Sequence, residues 1–117
     1  MKKSGRITKN REYRDVFEKG KSVATRGLVL YRMPNDFQVN RAGFIVSKKV
    51  GNAVVRNRVR RLLKEAYRRY TGDLVSSYDM VFIARPQTAA YDYAQAAAEM
   101  KQVLQRGGLF TIHPGRK

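Results

Sequence analysis

A long basic segment, residues 51–70, constrains the fold of this chain more than any other part of the sequence. At about 100° per residue, its apolar side chains fall on one side of a helix and its cations fill the adjacent arc. The apolar side consists of Val55, Val59, Leu62, Leu63, Ala66 and Tyr70. Asn52 is the predicted N-cap and Gly72 the predicted stop. The sequence therefore predicts one long helix with a buried face and a basic face.

The basic face is suited to binding phosphate. It carries Arg56, Asn57, Arg60, Arg61, Lys64 and Arg68. A solvated helix face normally intersperses acids for pairing along the helix, but Glu65 is the only carboxylate here. Lys48 and Lys49 precede the turn that leads into the helix, where the helix dipole favours an anion. Arg58 and Arg69 lie off this stripe, and a merely solvated position suits them equally well.

The overall charge points to a large polyanion as the partner. The chain has 117 residues, with 25 Lys and Arg against nine Asp and Glu, a formal net charge of +16. That length fits a single domain, and such charge destabilises a compact chain unless a counter-charged partner is present. Nucleic acid is the leading partner and an anionic membrane surface the weaker one. There is no cysteine and no long apolar run, so we expect a cytoplasmic protein without disulfides or membrane spans.

The rest of the chain predicts a mixed α and β protein. A helix capped by Asn10 runs to about Gly20, and a last helix covers residues 92–106 with Tyr93, Ala96, Ala97, Met100, Val103 and Leu104 facing inward. Strands are predicted at Ser22–Thr25, Leu28–Met33, Phe37–Val39, Ala42–Ser47 and Met80–Ala84. The basic tails, residues 1–9 and 112–117, are expected to be loose.

The polypeptide shows no sign of its own hydrolytic site. A protein that cleaves a phosphodiester needs clustered carboxylates for metal ions, or a positioned acid and base. The nine acids are scattered, and the one histidine, His113, lies in the C-terminal tail. We therefore expect neither catalytic residues nor a metal site in the chain.

Residues 48–61 resemble the signature of the bacterial ribonuclease P protein subunit. The matching sequence is Lys-Lys-Val-Gly-Asn-Ala-Val-Val-Arg-Asn-Arg-Val-Arg-Arg. The resemblance extends to Tyr13, Phe17 and Gly20, to Leu28–Tyr31, to Ser47, and to Ile83–Pro86. It covers nearly the whole chain apart from the tails.

The resemblance implies a fold and a function. The fold would be a single-domain α-β sandwich of class α+β, in the order αβββαβα, with a left-handed βαβ crossover like that of ribosomal protein S5 domain 2. The chain would bind a catalytic ribonuclease P RNA and precursor tRNA, and the complex would remove the 5′ leader. Catalysis would belong to the RNA, with Mg²⁺ required by the holoenzyme, and neither a membrane nor a small-molecule substrate would be involved.

The resemblance also assigns residues to two RNA contacts. The catalytic RNA would bind Lys48, Lys49, Asn52, Arg56, Asn57, Arg58, Arg60, Arg61, Lys64 and Arg68. The leader would lie in a cleft lined by Tyr13, Phe17 and Tyr31, with Lys49 and Arg56 nearby. By apolar character alone these three aromatic residues would be assigned to the core, whereas unstacked bases also stack well on such rings.

Three other classes of function remain open at this point. A ribosomal protein or RNA chaperone would account for the charge, but not for the basic helix together with an aromatic cleft. An autonomous metal nuclease lacks its carboxylate cluster. A membrane-binding amphipathic helix would need to expose the apolar face that the core requires.

Overall fold

Helices lie on both sides of one four-stranded sheet in the computed structural model, which describes residues 5–111. The elements are α1 (Asn10–Lys19), β1 (Lys21–Ala24), β2 (Leu28–Pro34), β3 (Arg41–Ile45), α2 (Ala53–Tyr70), β4 (Tyr78–Ala84) and α3 (Tyr93–Arg106). Short 3₁₀ turns, Thr71–Asp73 and Pro86–Ala90, follow α2 and β4. The predicted order αβββαβα is confirmed.

The sheet is mixed, in the strand order β1-β2-β4-β3. β2 is antiparallel to both β1 and β4, whereas β3 and β4 are parallel. Helix α2 connects the two parallel strands, so it forms the crossover of a βαβ unit. The basic helix is therefore tied to the sheet at both of its ends.

Each face of the sheet has its own core. The larger core lies between the sheet and helices α2 and α3, where Leu30, Leu63, Phe82 and Met100 are at most 1% exposed. On the other face, α1 covers a smaller cluster made by Ile7, Val16 and Val81, with Tyr13 and Tyr31 packed against it. The molecule is thus a three-layer arrangement in which α1 and α2 lie on opposite faces of the sheet.

The predicted helix ends agree with the structure at α2 and differ at α1. Asn52 is the N-cap of α2, and its Oδ1 accepts a hydrogen bond from the Val55 N–H at 3.0 Å. The helix ends at Tyr70, and Gly72 lies in the turn that follows. At α1 the N-cap is Lys9, and the prediction of Asn10 was wrong. The Glu12 carboxylate accepts from the Lys9 N–H at 3.3 Å, the bond that the third helical residue makes back to the N-cap backbone in a capping box.

Helix α3 buries the predicted face apart from one residue. Ala96, Ala97, Met100, Val103 and Leu104 are at most 5% exposed. Tyr93 is 39% exposed, because it is the first residue of the helix and lies at the edge of the packed face.

The strand predicted at Phe37–Val39 does not form. Residues 35–40 make a loop that the Asn35 side chain closes on itself. Its Oδ1 accepts from the Phe37 N–H at 2.9 Å, and its Nδ2 donates to the Val39 carbonyl at 3.2 Å. These bonds use backbone groups that a strand would offer to a neighbour.

The N-terminal segment is ordered earlier than predicted. Residues 5–7 run beside β3, where the Ile7 N–H donates to the Ala42 carbonyl at 3.1 Å and the Ala42 N–H donates to the Gly5 carbonyl at 3.0 Å. Burial of Ile7, which is 4% exposed, accounts for this order. Residues 1–4 and 112–117 of the predicted tails, with His113, lie outside the described residues. Over residues 5–111, no helix has the length and hydropathy to cross a membrane.

Candidate nucleic-acid interface

The basic face of α2 is presented to solvent along its length. Val59, Leu63 and Ala66 anchor the helix to the core. On the outer side Asn57, Arg61, Lys64 and Arg68 are exposed, while Arg56 and Arg60 are half-buried. The stripe from Arg56 to Arg68 is about 18 Å long at 1.5 Å per residue. It is therefore long enough to follow several phosphates of a nucleic-acid backbone.

Local hydrogen bonds orient the start of this stripe. Arg56 Nε donates to the Gly51 carbonyl at 3.1 Å, which holds its guanidinium beside the first turn of the helix. Arg60 donates to Asn57 Oδ1 at 2.8 Å. Each arginine keeps further N–H donors, because a guanidinium has five. Such planar groups can bind phosphate oxygens in pairs.

Little negative charge offsets the stripe. Glu65 approaches Arg68 at 3.3 Å, but both side chains are more than half exposed, so this pair is weak. Within residues 5–111, no hydrogen bond or ion pair holds the side chains of Lys48, Lys49, Arg61 or Lys64. These four cations are thus free to bind a ligand, two of them at the positive end of the helix and two along its outer face.

Arg58 joins two segments of the fold, a role that its position in the sequence did not indicate. Its guanidinium donates to the carbonyls of Ala89 and, at 3.0 Å, Tyr91. It thereby ties α2 to the segment before α3. Its assignment to RNA binding stays a prediction, and such binding would have to share a guanidinium already bonded twice within the protein.

The three predicted cleft residues come together on the other face of the sheet. Phe17 and Tyr31 meet edge to face, with ring centroids 5.0 Å apart. Tyr13 lies over Gly43, where a Cβ would be only 2.7 Å from Tyr13 Cε1, so the ring fits because that position is glycine. The Tyr13 hydroxyl donates to the Ile7 carbonyl at 3.2 Å. Tyr13 is therefore fixed by packing, whereas Phe17 remains 37% exposed.

An apolar strip of the sheet continues from these rings. Strand register puts Tyr31, Val81 and Gly43 in one row and Val29, Ile83 and Ile45 in the next. The residues of this second row are only half-buried. Beyond Ile45, the chain reaches Lys48 and Lys49 within four residues. The rings, the apolar strip and the basic turn thus follow one another at one end of the sheet.

Lys49 and Arg56 lie around the start of α2, away from direct contact with the rings. Among the described residues, no hydrogen bond or ring contact joins either side chain to Tyr13, Phe17 or Tyr31. A ligand that touched both groups would have to extend from the aromatic rings to the basic turn. A short single strand has such a shape.

A buried ion network beneath α1 was missed by the sequence reasoning. Arg41, 5% exposed, donates from Nε and NH2 to the two Asp79 oxygens at 2.9 and 2.8 Å, and from NH1 to Glu12 at 2.9 Å. Its guanidinium also lies 4.6 Å from the Phe37 ring centroid. The network links α1 to β3 and β4. In the sequence, only the positions of Arg41 and Asp79, each directly before an apolar strand segment, indicate this network.

The pKa values of these groups reflect their pairing. The bonds to Asp79, and then those to Glu12, raise the Arg41 pKa above its ordinary value against the effect of burial. Burial would raise the pKa of Glu12, but the Arg41 guanidinium and the Lys9 and Thr8 N–H groups hold it below its ordinary value. Glu99 behaves similarly, because bonds from Thr25, Tyr91 and Gly27 outweigh its burial and lower its pKa.

Acid should therefore weaken the fold. A carboxyl group whose pKa is lower in the folded than in the unfolded state stabilises the fold above its unfolded pKa, and this stability is lost as the pH falls through its folded pKa. We expect the urea midpoint to be flat above pH 5 and to fall below the ordinary value of 4.5 for Glu12 and Glu99. Glu99→Gln should show a shallower fall, measured by urea titration from pH 7 to pH 3. A midpoint that stays constant down to pH 3 would contradict this.

The structure thus combines a basic helix on one face of the sheet with a cluster of aromatic rings on the other, a combination typical of a small RNA-binding protein. Comparison with known proteins narrows this class to one family. The sequence model of the Ribonuclease P family matches residues 1–108. The ribonuclease P protein component of Alkaliphilus metalliredigens is 42% identical over 106 residues, covering 91% of this chain and 96% of the relative. That of Bacillus cereus is 43% identical over 113 residues, covering 96% and 98%.

Solved structures agree. The Staphylococcus aureus RNase P protein superposes with a TM-score of 0.87 at 33% identity, covering 93% of this chain and 100% of that one. The Thermotoga maritima RNase P protein gives a TM-score of 0.79 at 27% identity, covering 86% and 96%. This chain belongs to the bacterial ribonuclease P protein family. It is the protein subunit of an endoribonuclease ribonucleoprotein that matures the 5′ end of tRNA, with catalysis by the RNA. Its partners are the ribonuclease P RNA and precursor tRNA.

Proposed function

We propose that the two faces of the molecule divide the RNA contacts between them. The basic face of α2, with Lys48, Lys49 and Asn52 at its start, binds the catalytic RNA. The cleft at Tyr13, Phe17 and Tyr31 binds the single-stranded leader, and Lys49 and Arg56 meet its phosphates. The observation that carries this assignment is that α1 and α2 pack on opposite faces of the sheet, so that the two sites share Lys49 and Arg56 near the start of α2 and otherwise lie apart.

The chemistry of each site supports its assignment. Arginines at helical spacing suit a phosphate backbone of fixed shape, such as that of a folded RNA. The exposed Phe17 ring, which meets Tyr31 edge to face, suits unstacked bases. Bases stack on such rings with little sequence preference. A leader site of this kind would accept many precursors, because it reads no base edge.

Mg²⁺ belongs to the RNA in this proposal. Over residues 5–111, no group of three His, Cys, Asp or Glu side chains is placed to hold a metal ion. Phosphate oxygens of RNA are the hard ligands that Mg²⁺ prefers. In the holoenzyme the RNA would bind the metal ions for cleavage, and the complex acts in the cytoplasm.

Phe17→Ala tests the leader site. Loss of one stacking ring removes about 1 to 3 kcal/mol, so the reconstituted holoenzyme should bind precursor tRNA at least fivefold more weakly. Its affinity for mature tRNA should not change. Both affinities are measured by filter binding, with Tyr93→Ala as a control because Tyr93 is an aromatic of similar exposure, 39%.

Two outcomes would count against a leader site at Phe17. Equal losses for precursor and mature tRNA would place the ring outside the leader path. A large fall in melting temperature would mean that the ring supports the core, despite being 37% exposed.

A further inference from the structure

A groove that carries two arginines lies on the outer flank of α3, apart from the basic face of α2. It is lined by Arg26, Tyr91, Gln95, Ala98, Glu99, Gln102 and Arg106. Both arginines and both glutamines are exposed. The groove runs between α3 and the turn that joins β1 to β2. None of the residues in the basic helix or the aromatic cleft contributes to it.

Hydrogen bonds build the β1–β2 turn into a fixed wall of the groove. Arg106 NH1 donates to the Ala24 carbonyl at 2.8 Å, and Arg85 NH1 donates to the Thr25 carbonyl at 3.1 Å. The Glu99 carboxylate accepts from Thr25 Oγ1 and from the Gly27 N–H. Arg26 is therefore carried by a turn whose residues on either side are held to α3 and to Arg85, the residue after β4. This makes the groove a defined feature.

The charges inside the groove favour an anion. Among the described residues that line it, Glu99 is the one carboxylate, and it is 8% exposed. Its oxygens accept bonds from Thr25, Gly27 and the Tyr91 hydroxyl, so its charge is turned inward. Arg26 has no hydrogen bond or ion pair within residues 5–111, and the Arg106 bond uses only one of that side chain's five N–H donors. A bound anion would meet two guanidinium groups.

The groove faces away from the basic helix. Tyr93 and Ala97 mark the side of α3 next to α2, because the Tyr70 hydroxyl donates to the Ala97 carbonyl at 3.3 Å and Arg69 interacts with Tyr93. Gln102 follows Tyr93 by nine positions, and Arg106 follows Ala97 by nine. At about 100° per residue, nine positions place a side chain on the opposite side of a helix. The body of α3 thus separates the groove from the α2 stripe.

We propose that this groove binds the phosphodiester backbone of RNA as a second, independent contact, with Arg26 and Arg106 gripping phosphate oxygens and Gln95 and Gln102 donating to phosphate or 2′-hydroxyl groups. The chemistry matches, because guanidinium forks and amides are the groups that bind RNA backbone without reading bases. Arg58 brings α2 close to the Tyr91 end of the groove, but Gln102 and Arg106 lie on the side of α3 that faces away from α2, so a strand along the α2 stripe does not cover them. The protein therefore contacts two separate RNA segments, from the catalytic RNA or the body of the precursor tRNA. This inference extends the proposed function of the basic helix.

The test measures the salt dependence of RNA binding for Arg26→Ala and for Arg26→Ala/Arg106→Ala. One arm titrates the full-length protein with the catalytic RNA, and the other titrates the assembled holoenzyme with precursor tRNA. Each lost phosphate contact should lower the log-log salt slope by about 0.7 to 0.9, and the double variant should bind several-fold more weakly in one arm. A loss in the first arm assigns the groove to the catalytic RNA, and a loss in the second to the tRNA.

Two further variants make the result decisive. Lys101→Ala also removes one exposed cation from α3, but it lies about 140° around the helix from Arg106 at 100° per residue, so it should leave the slopes unchanged. Arg61→Ala reports on the basic helix alone. If the groove variants match Lys101→Ala in both arms while their melting temperatures match the parent, the groove does not bind RNA. Failure of Arg61→Ala to change binding would instead count against the α2 site.

Discussion

Replacing Asp79 with asparagine is expected to lower the free energy of unfolding by about 3 kcal/mol, because it removes one charge of a buried ion pair. Asp79 is 3% exposed and takes both bonds of a bidentate pair with Arg41. Asparagine has nearly the same shape but only one acceptor oxygen, so a cavity would not explain the loss. Glu12 would still bind Arg41, which keeps the loss at the lower end of what breaking a buried pair causes.

The measurement is urea denaturation at pH 7. Asp36→Asn is the matched control, since Asp36 is an exposed acid in the loop before β3. It should change stability by no more than about 0.5 kcal/mol. If Asp79→Asn were as stable as Asp36→Asn, the buried pair of Arg41 and Asp79 between β3 and β4 would not stabilise the fold.

The double variant Arg60→Ala/Arg61→Ala should bind the catalytic RNA about 100-fold more weakly. Each arginine is expected to contribute about 1.5 kcal/mol through charge-assisted bonds to phosphate, and 1.4 kcal/mol is a factor of ten. If about six phosphates are neutralised by the intact protein, its log-log salt slope should be about 4 to 5, and the variant should lose roughly 1.5 of it.

A charge-preserving variant separates charge from geometry. Arg60→Lys/Arg61→Lys keeps both cations, so its salt slope should match the parent while its affinity falls, because an ammonium cannot make the paired bonds of a guanidinium. Binding is measured by titration at several salt concentrations. An alanine variant with the parent's affinity and slope would show that the middle of the α2 stripe does not touch the RNA.

The basic helix could be predicted from the sequence because its properties are local. Its period places Val59 and Leu63 inward and Arg61 and Lys64 outward whatever the rest of the chain does, and Asn52 caps it through a bond to a residue three positions on. The strand β4 was predictable for a similar reason, since a short apolar run between Asp79 and Pro86 favours a buried strand.

The features that were missed depend on contacts between distant residues. Arg41 is 38 positions from Asp79 and 29 from Glu12, and Arg58 is 33 from Tyr91. No periodicity marks such partners. The aromatic cleft is similar: Phe17 and Tyr31 meet only because α1 folds back over β2, so apolar character alone would have assigned both to the core. The family resemblance supplied that pairing, and the structure places the two rings in contact.

The subunit role is tested most directly by cleavage of 5′-labelled precursor tRNA at low Mg²⁺. The reactions contain a bacterial ribonuclease P RNA alone, this protein alone, or both. We expect a single cut at the mature 5′ end, strongly stimulated only when both are present. Cleavage by the protein alone, or RNA binding without any stimulation, would contradict it.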